Sequence, residues 1–298
     1  MKPLILNLFR DNDMLDLLTS QRDIEAAKFT LRRFPDGETY INFETSLKNR
    51  ELIVLASLDK PDPKFLPLIF TAKTAKELGA TRIGLCVPYL PYMRQDKRFN
   101  PGEAVTSTHF ASLISDSFDW LVTVDPHLHR RENLGDIYSI ASTVLHATSS
   151  VSAWISNNIS KPLLIGPDSE SEQWVSSIAQ AIGAPYIILE KIRHSDNEVE
   201  ISKPAIDGYM AHTPVLIDDI ISTAQTMIET VKSLNQAGMK PTVCIGVHAI
   251  FANDGYNALL NAGVDSVVTC NAIEHETNQI DLSLLLIEGV KRHLATGF

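Results

Sequence analysis

Short apolar segments alternate with amphipathic ones along the whole chain. The apolar segments are rich in β-branched residues, which is typical of strands buried on both faces of a sheet. They occupy residues 51–58, 82–90, 120–125, 162–168, 185–191, 214–219, 242–251 and 265–270. The stretches between them include helical patterns such as "SEQWVSSIAQAIGA", which reach a glycine suited to a helix C-cap. This alternation predicts an α/β fold, with parallel sheets flanked by helices.

The two halves of the chain resemble each other. Residues 77–92, "ELGATRIGLCVPYLPY", align with residues 235–251, "NQAGMKPTVCIGVHAIF". A chain of 298 residues has room for two domains of ordinary size. The serine-rich stretch "HATSSVSAW" favours a boundary near 145–150. We therefore predict two similar domains, residues 1–147 and residues 148–298.

Composition and charge exclude some classes of function. The net charge of −10 argues against a nucleic-acid-binding surface, which requires a basic face. No apolar run reaches the roughly 18 residues of a membrane span, and the N-terminal segment shows no signal-peptide cleavage site, so we expect no membrane association. Cys86, Cys244 and Cys270 lie in apolar segments without CxxC spacing, which predicts buried free thiols and favours the cytoplasm.

The cations are clustered in spite of the acidic composition. The clusters are Arg32 with Arg33, Arg94 with Lys97 and Arg98, Arg130 with Arg131, and Lys191 with Arg193. Such clusters are often solvated faces, but beside strand ends they also suit small phosphorylated ligands. Neither the G-x-x-x-x-G-K-[ST] nor the G-x-G-x-x-G fingerprint occurs. A nucleotide would therefore bind by some other arrangement.

A carboxylate pair ends one predicted strand. In "VLIDDIISTAQT", residues 215–226, Asp218 and Asp219 follow the apolar run, and Ser222 and Thr223 open a helical pattern. The N–H groups and hydroxyls of a helix start suit a phosphate monoester, whereas carboxylates suit sugar hydroxyls or a metal ion. A phosphorylated ribose carries both kinds of group. The alternative is an ordinary capped helix with two solvated aspartates.

This segment resembles the phosphoribosyl-diphosphate motif, and the chain as a whole resembles the ribose-phosphate diphosphokinase family. Further segments match the family's two ATP loops, metal-binding segment, pyrophosphate loop and catalytic flexible loop, in that order. They are "RRFPDGETYINF" (32–43), "PYLPYMRQDKRFNPGEAVTS" (88–107), "VDPHLH" (124–129), "GPDSESEQW" (166–174) and "LEKIRHSDNEVEI" (189–201). The resemblance covers nearly the whole chain and implies two domains of phosphoribosyltransferase type I fold.

The family transfers the diphosphoryl group of ATP to the 1-hydroxyl of ribose 5-phosphate, giving 5-phosphoribosyl 1-diphosphate and AMP. The resemblance therefore implies ATP and ribose 5-phosphate as ligands, Mg²⁺ as cofactor, and a homo-oligomer, because one family loop reaches a neighbouring subunit's site. One alternative is a non-catalytic regulatory homologue, which would not need the cations Lys191 and Arg193. Another is a phosphoribosyltransferase, which would lack the ATP segments.

The resemblance implies a role for each matched residue. Lys191 and Arg193 would be catalytic, stabilising charge on the transferring group. His127 and Asp168 would be linked to the metal, and His127 also to ATP. Further ATP contacts would be Phe34, Asp36, Glu38, Arg94, Gln95, Asp96 and Lys97. The ribose-5-phosphate site would comprise Asp218, Asp219, Ser222, Thr223, Ala224, Gln225 and Thr226.

Several of these residues have plainer explanations when they are taken alone. "FPDGET" is typical of a turn, His127 of a capping or core histidine, and Lys191-x-Arg193 of a solvated hairpin. The chain also departs from the family, which has Asp-Thr-Gly-Gly-Thr where this sequence has Ser-Thr-Ala-Gln-Thr at 222–226. Either Gln225 takes a positive φ, at a cost on the order of 1–2 kcal/mol, or the helix begins sooner.

Overall fold

The computed structural model describes residues 1–9, 13–20, 23–128, 130–189, 191–193, 199–201 and 206–295. The chain divides into two compact units. The first comprises residues 1–145 and 283–298, and the second comprises residues 146–282. Within the described residues, none of the helices is long and apolar enough to cross a membrane.

Helices and strands alternate as the sequence pattern predicts. The helices are α1 (Asp13–Ser20), α2 (Asp62–Glu77), α3 (Thr106–Ser115), α4 (Thr148–Asn158), α5 (Glu172–Ile182), α6 (Gln225–Gln236), α7 (Gly255–Asn261) and α8 (Ser283–Ala295). The strands are β1 (Leu4–Asn7), β2 (Glu25–Ala26), β3 (Phe29–Arg33), β4 (Thr39–Phe43), β5 (Glu51–Leu55), β6 (Arg82–Cys86), β7 (Trp120–Val124), β8 (Ala141–Leu145), β9 (Pro162–Gly166), β10 (Tyr186–Ile188), β11 (Lys191–Arg193), β12 (Val199–Ile201), β13 (Thr213–Ile221), β14 (Val243–Ala249), β15 (Ser266–Cys270) and β16 (Asn278–Ile280).

The first unit is built on a parallel sheet in the order β2-β1-β5-β6-β7-β8. Its inner strands are apolar on both faces because helices cover both sides, and Ile53, Leu85 and Leu121 are fully buried. Strands β3 and β4 form a separate antiparallel hairpin. The loops that follow β6 and β7 carry the predicted ATP and metal segments at the carboxyl edge of this sheet.

The C-terminal helix α8 belongs to the first unit, which corrects the predicted second domain of residues 148–298. Gly289 allows α8 to lie close to the sheet, because a Cβ there would stand 2.8 Å from Leu145 Cδ1 and 2.9 Å from Val122 Cγ1. Nearer the end of α8, the His293 ring stacks on Trp120. The amphipathic pattern of α8 predicts a helix but does not say which sheet the helix covers.

The second unit repeats the architecture with a parallel sheet in the order β10-β9-β13-β14-β15-β16. β13 lies between β9 and β14 and continues to Ile221, two residues beyond the predicted strand end at Asp219. The predicted α/β class with two parallel sheets is confirmed. Because β9 and β13 run parallel side by side, the loops at their carboxyl ends meet at one edge of the sheet.

The three cysteines are buried and free, as predicted. Burial raises the pKa of the Cys86 thiol to about 12 and raises that of Cys244 as well. The thiolate form is therefore suppressed at neutral pH, and these side chains act as core residues.

Candidate functional site

Two carboxylates act electrostatically on a third at the carboxyl edge of the second sheet. Asp168 follows β9, and Asp218 and Asp219 lie near the end of β13. Desolvation raises the pKa of Asp218 well above its usual value, and the negative charges of Asp219 and Asp168 raise it further. A nearby cation or several hydroxyl donors would stabilise the ionised form of Asp218, and carboxylate oxygens are the donors that Mg²⁺ prefers.

The loop after β9 is a tight turn into α5. The Asp168 side chain accepts a hydrogen bond from the Glu170 N–H at 3.1 Å, and the Ser171 hydroxyl donates to the Asp168 carbonyl at 2.6 Å. A Cβ on Gly166 would lie 2.4 Å from Ser171 Oγ, so this turn requires the glycine. The geometry fixes the backbone at Asp168 immediately beyond the strand.

The turn between β13 and α6 shows which residue takes a positive φ where the family has two glycines. Ala224 has φ 58° and ψ 8°, in the left-handed region, and α6 begins at Gln225. The positive φ therefore falls on Ala224, which precedes the helix, and not on Gln225, which is its first residue. The Gln225 amide donates to Glu229 at 2.7 Å along the helix surface.

A glycine on a neighbouring segment closes over the same turn. A Cβ on Gly255, the first residue of α7, would lie 2.5 Å from the Ser222 carbonyl oxygen and 3.1 Å from the Thr223 carbonyl carbon. Thr223 is exposed and Ser222 and Thr226 are half-buried. The Ser222–Thr226 loop thus packs closely against Gly255. Its hydroxyls lie near the start of α6, where backbone N–H groups favour anions.

The predicted ATP segment of the first unit lies in the loop between β6 and α3. Arg94 and Lys97 are exposed, whereas Gln95 is half-buried. The Asp96 side chain is only 3% exposed, and Arg130 Nη1 lies 3.2 Å from each of its carboxylate oxygens. Asp96 is therefore engaged by an arginine of the same chain, a contact that nothing in the local sequence pattern indicates.

The residue at the start of this segment is also constrained. Tyr92 has φ 64°, its hydroxyl donates to the Asp62 carboxylate, and its ring packs on Phe110 at 4.9 Å between centroids. Burial and the Asp62 contact raise the pKa of Tyr92 to about 12. The tyrosine thus remains a protonated donor at neutral pH.

The other predicted ATP loop forms the turn of the β3–β4 hairpin. The Phe34 N–H donates to the Glu38 carbonyl at 2.8 Å, and the Glu38 N–H donates to the Asp36 carboxylate at 3.1 Å. Gly37 has φ 95°, which suits glycine at this position. Arg32 lies over the rings of Phe34 and Tyr40 at 4.6 and 4.1 Å. The turn therefore exposes Phe34, Asp36 and Glu38 together.

A cavity of about 510 Å³ lies beside this hairpin, between the hairpin and α2. Glu38 and Arg33 line it from the hairpin, and Asp62, Leu66 and Phe70 line it from the helix. Arg33 donates to the Gly37 carbonyl at 3.2 Å and to the Pro63 carbonyl at 2.8 Å. These bonds join the turn to the start of α2.

The predicted metal ligands lie in different units. His127 is half-buried in the loop after β7, which begins with Asp125 at φ 36°, and Asp168 lies in the second unit. His129 falls outside the described residues. Among the residues that are described, no three His, Cys, Asp or Glu side chains form a ready metal cage.

Lys191 and Arg193 lie on β11, which pairs antiparallel with β12 so that Lys191 faces Ile201 and Arg193 faces Val199 in register. The backbone therefore forms two antiparallel arms, β11 and β12. The side chains of both cations, and residues 194–198 between the arms, lie outside the described part of the chain.

Known proteins resemble this chain in sequence and in fold. Residues 4–117 match the family model described as the N-terminal domain of ribose phosphate pyrophosphokinase, and residues 136–285 match the phosphoribosyl transferase domain. The ribose-phosphate pyrophosphokinase of Sulfurisphaera tokodaii is 30% identical over 250 residues, covering 83% of this chain and 85% of that protein. That of Methanopyrus kandleri is 29% identical over 276 residues, covering 92% and 94%.

The crystal structure of phosphoribosylpyrophosphate synthetase from Mycobacterium smegmatis matches with a TM-score of 0.85 and 21% identity, covering 99% of this chain and 100% of that one. The protein is therefore an α/β protein of the phosphoribosyltransferase fold class, as the sequence predicted. The family models and the relatives named ribose-phosphate pyrophosphokinase identify its family. The chain belongs to the ribose-phosphate pyrophosphokinase family.

Proposed function

We propose that this protein transfers the diphosphoryl group of ATP to the 1-hydroxyl of ribose 5-phosphate, giving 5-phosphoribosyl 1-diphosphate and AMP. The observation that carries the proposal is the pairing of an acidic strand end, Asp218 and Asp219, with a helix start at Gln225. That pairing offers acceptors for sugar hydroxyls beside donors for a phosphate, in a chain whose relatives are named ribose-phosphate pyrophosphokinases.

Ribose 5-phosphate would bind at the turn between β13 and α6. Its phosphate would accept hydrogen bonds from backbone N–H groups and hydroxyls of Ser222–Thr226, including those of Ala224 and Gln225. Its ribose hydroxyls would donate to Asp218 and Asp219. The raised pKa of Asp218 favours this role, because each hydroxyl donor stabilises the ionised carboxylate.

ATP would bind through the first unit. Arg94 and Lys97 are exposed cations, and the Arg94 guanidinium offers a fork of donors for phosphate oxygens. Gln95 and His127 would add polar contacts, whereas Asp96 would act through its pairing with Arg130. Phe34, Asp36 and Glu38 would contribute from the hairpin turn, completing the ATP site of a second copy in a homo-oligomer.

Asp168 and His127 would each be linked to Mg²⁺, which when bound would neutralise charge on the phosphates. The negative charges of Asp168 and Asp219, which raise the pKa of Asp218, favour a cation at the carboxyl edge of the second sheet. Lys191 and Arg193 would stabilise charge on the transferring group. A cytoplasmic location belongs to the same proposal, since buried free thiols suit a reducing compartment.

The test is incubation of the protein with ATP, Mg²⁺ and ribose 5-phosphate, with nucleotides and sugar phosphates separated and quantified. AMP should form in step with the consumption of ribose 5-phosphate. ADP as the nucleotide product would contradict the proposal. A requirement for a nucleobase would indicate a phosphoribosyltransferase, and tight binding of both substrates without turnover would indicate a non-catalytic homologue.

A further inference from the structure

A largely enclosed arginine joins the loop after β6 to the first turn of α3. Arg131 Nη2 donates to the Asp96 carbonyl at 3.3 Å and to the Ser107 hydroxyl at 3.1 Å. Ser107 is fully buried, and its N–H donates to the Gln95 carbonyl at 3.4 Å. One guanidinium group therefore fixes both the middle of the loop, at Asp96, and the start of the helix that follows it.

The same loop is fixed through its side chain by the preceding residue. Arg130 Nη1 reaches both carboxylate oxygens of Asp96, whose side chain is almost fully enclosed. Arg130 and Arg131 thus hold one residue at two independent points, its carboxylate and its carbonyl. A residue held at two points has little rotational freedom left about its backbone.

A second anchor lies two residues before Arg94. Tyr92 is held at positive φ by its hydrogen bond to Asp62 and by its ring contact with Phe110. Arg94 and Gln95 therefore lie between two fixed points, Tyr92 and Asp96. The backbone that carries the exposed Arg94 and the half-buried Gln95 is therefore restrained from both ends.

Packing stability alone does not account for an arginine at position 131. Its Nε is buried and has no hydrogen-bond partner within the described residues, and an unsatisfied buried donor is destabilising. An apolar side chain would avoid that cost but would lose both contacts of Nη2. Arg131 therefore fixes the loop through Nη2 although its buried Nε is destabilising. Such an arrangement is usual where a ligand site must be preorganised.

We propose that Arg131 is a positioning residue that holds the Arg94–Gln95 segment in the conformation that receives the phosphates of ATP. The inference rests on the proposed function, because that function assigns ATP to this segment. Arg131 acts through Asp96 and Ser107 and does not itself touch the nucleotide. Its removal should therefore weaken ATP binding and leave ribose 5-phosphate binding unchanged.

The experiment compares Arg131→Ala, Arg131→Lys and Arg82→Ala with the unaltered protein, measuring KM for both substrates, kcat, direct ATP binding and Tm. Arg82 is a matched control, because its Nη1 also donates to a backbone carbonyl, that of His293, at 3.2 Å, in the same unit. Arg131→Ala should raise KM and Kd for ATP roughly tenfold, in line with loss of a charged hydrogen bond. Lysine should restore part of that loss.

The control variant should change Tm and leave KM for ATP within about twofold. An equal rise in both KM values, or a fall in Tm alone, would overturn the positioning role. If Arg131→Ala does not fold, Arg131→Lys and Ser107→Ala carry the same test through smaller rises in KM for ATP. If the unaltered protein forms no AMP, the proposed function is refuted. If the Arg131→Ala protein is folded and active and has normal affinity for ATP, only the positioning role of Arg131 is refuted.

Discussion

The His293 ring of α8 lies parallel to the Trp120 indole of β7, with 4.7 Å between ring centroids and 3° between planes. His293 Nε2 is 2.9 Å from Thr143 Oγ1, and Trp120 Nε1 donates to Glu51 at 3.0 Å. These contacts link the last helix of the chain to three strands of the first sheet. The stack is therefore a main attachment of α8 to that unit.

His293→Ala should lower the stability of the first unit. Loss of an aromatic pair costs about 0.5–1.5 kcal/mol beyond the apolar area that it buries, so we expect Tm to fall by several degrees. Thermal melting by circular dichroism measures the effect. His293→Phe should keep most of the stability, because a phenyl ring can stack on Trp120. Equal losses in both variants would show that the stack contributes little.

Acid should weaken the same attachment. Burial and the nearby Arg82 charge lower the pKa of His293 below its ordinary value near 6.5. The unfolded chain then binds more protons than the folded one between the two pKa values, so stability rises with pH in that window. His293 should contribute fully above about pH 6.5 and progressively less below it.

The measurement for this prediction is urea denaturation at several pH values. His293→Phe removes one titrating group and should reduce the pH dependence of stability below about pH 6.5. His275 has a lowered pKa for the same main reason, burial, and remains as an internal reference in both proteins. An unchanged pH slope in His293→Phe would assign the dependence to other groups.

Ala224→Gly should stabilise the second unit. Ala224 is at φ 58°, where an L-residue with a Cβ is strained by about 1–2 kcal/mol and glycine is not. Ala237 at the other end of α6 is a matched control, because its φ of −77° is ordinary and glycine there brings only an entropic cost. Chemical denaturation of both variants should give opposite signs. Destabilisation by Ala224→Gly would mean that the strain is relieved elsewhere.

Lys191→Ala and Arg193→Ala should lower kcat strongly and leave ATP binding nearly intact. Charges that act mainly in the transition state contribute on the order of 10²–10³-fold to kcat. Steady-state turnover and direct ATP binding measure the two effects. Lys73→Ala, an exposed lysine on α2, controls for the loss of one positive charge. Unchanged turnover in both hairpin variants would favour an ordinary solvated hairpin.

Mixed oligomers should recover activity if the hairpin turn serves a neighbouring copy. Glu38→Ala and Lys191→Ala would each disable a different part of a shared site, so a mixture of the two inactive proteins can form some intact sites. Activity should therefore rise on mixing after subunit exchange. Exchange shown by labelled subunits, without any recovered turnover, would place both residues in the same chain's site.

The periodicity of apolar and polar residues in the sequence is enough to predict much of the fold. Continuous apolar segments such as 51–55 predict strands covered on both sides, and the run before Asp218 predicts that the carboxylates lie at a sheet edge. The assignment of α8 was wrong because an amphipathic stripe says that a helix packs but not on which sheet. The decisive details, Gly289 against Leu145 and His293 on Trp120, are contacts between distant parts of the sequence.

The candidate site was predictable only in part for similar reasons. A pair of aspartates before a helix start is visible in the sequence, but the positive φ of Ala224 and the close approach of Gly255 to Ser222 are not. The contacts of Arg131 with Asp96 and Ser107 join residues far apart in the chain. The sequence shows the cation cluster at 130–131 but does not show that its side chains contact Asp96 and Ser107.

Because α8 completes the first unit, residues 146–282 are an insertion between two parts of one folding unit. During synthesis the first sheet is made early, while the helix that covers Trp120 and Val122 emerges only after residues 146–282. The chain must then close a long loop to bring Gly289 onto the sheet, which is an entropic cost that short-range folding avoids. Until that closure, the face of β7 and β8 that α8 covers stays open to solvent and to other chains, so a truncation before residue 283 leaves an aggregation-prone first unit.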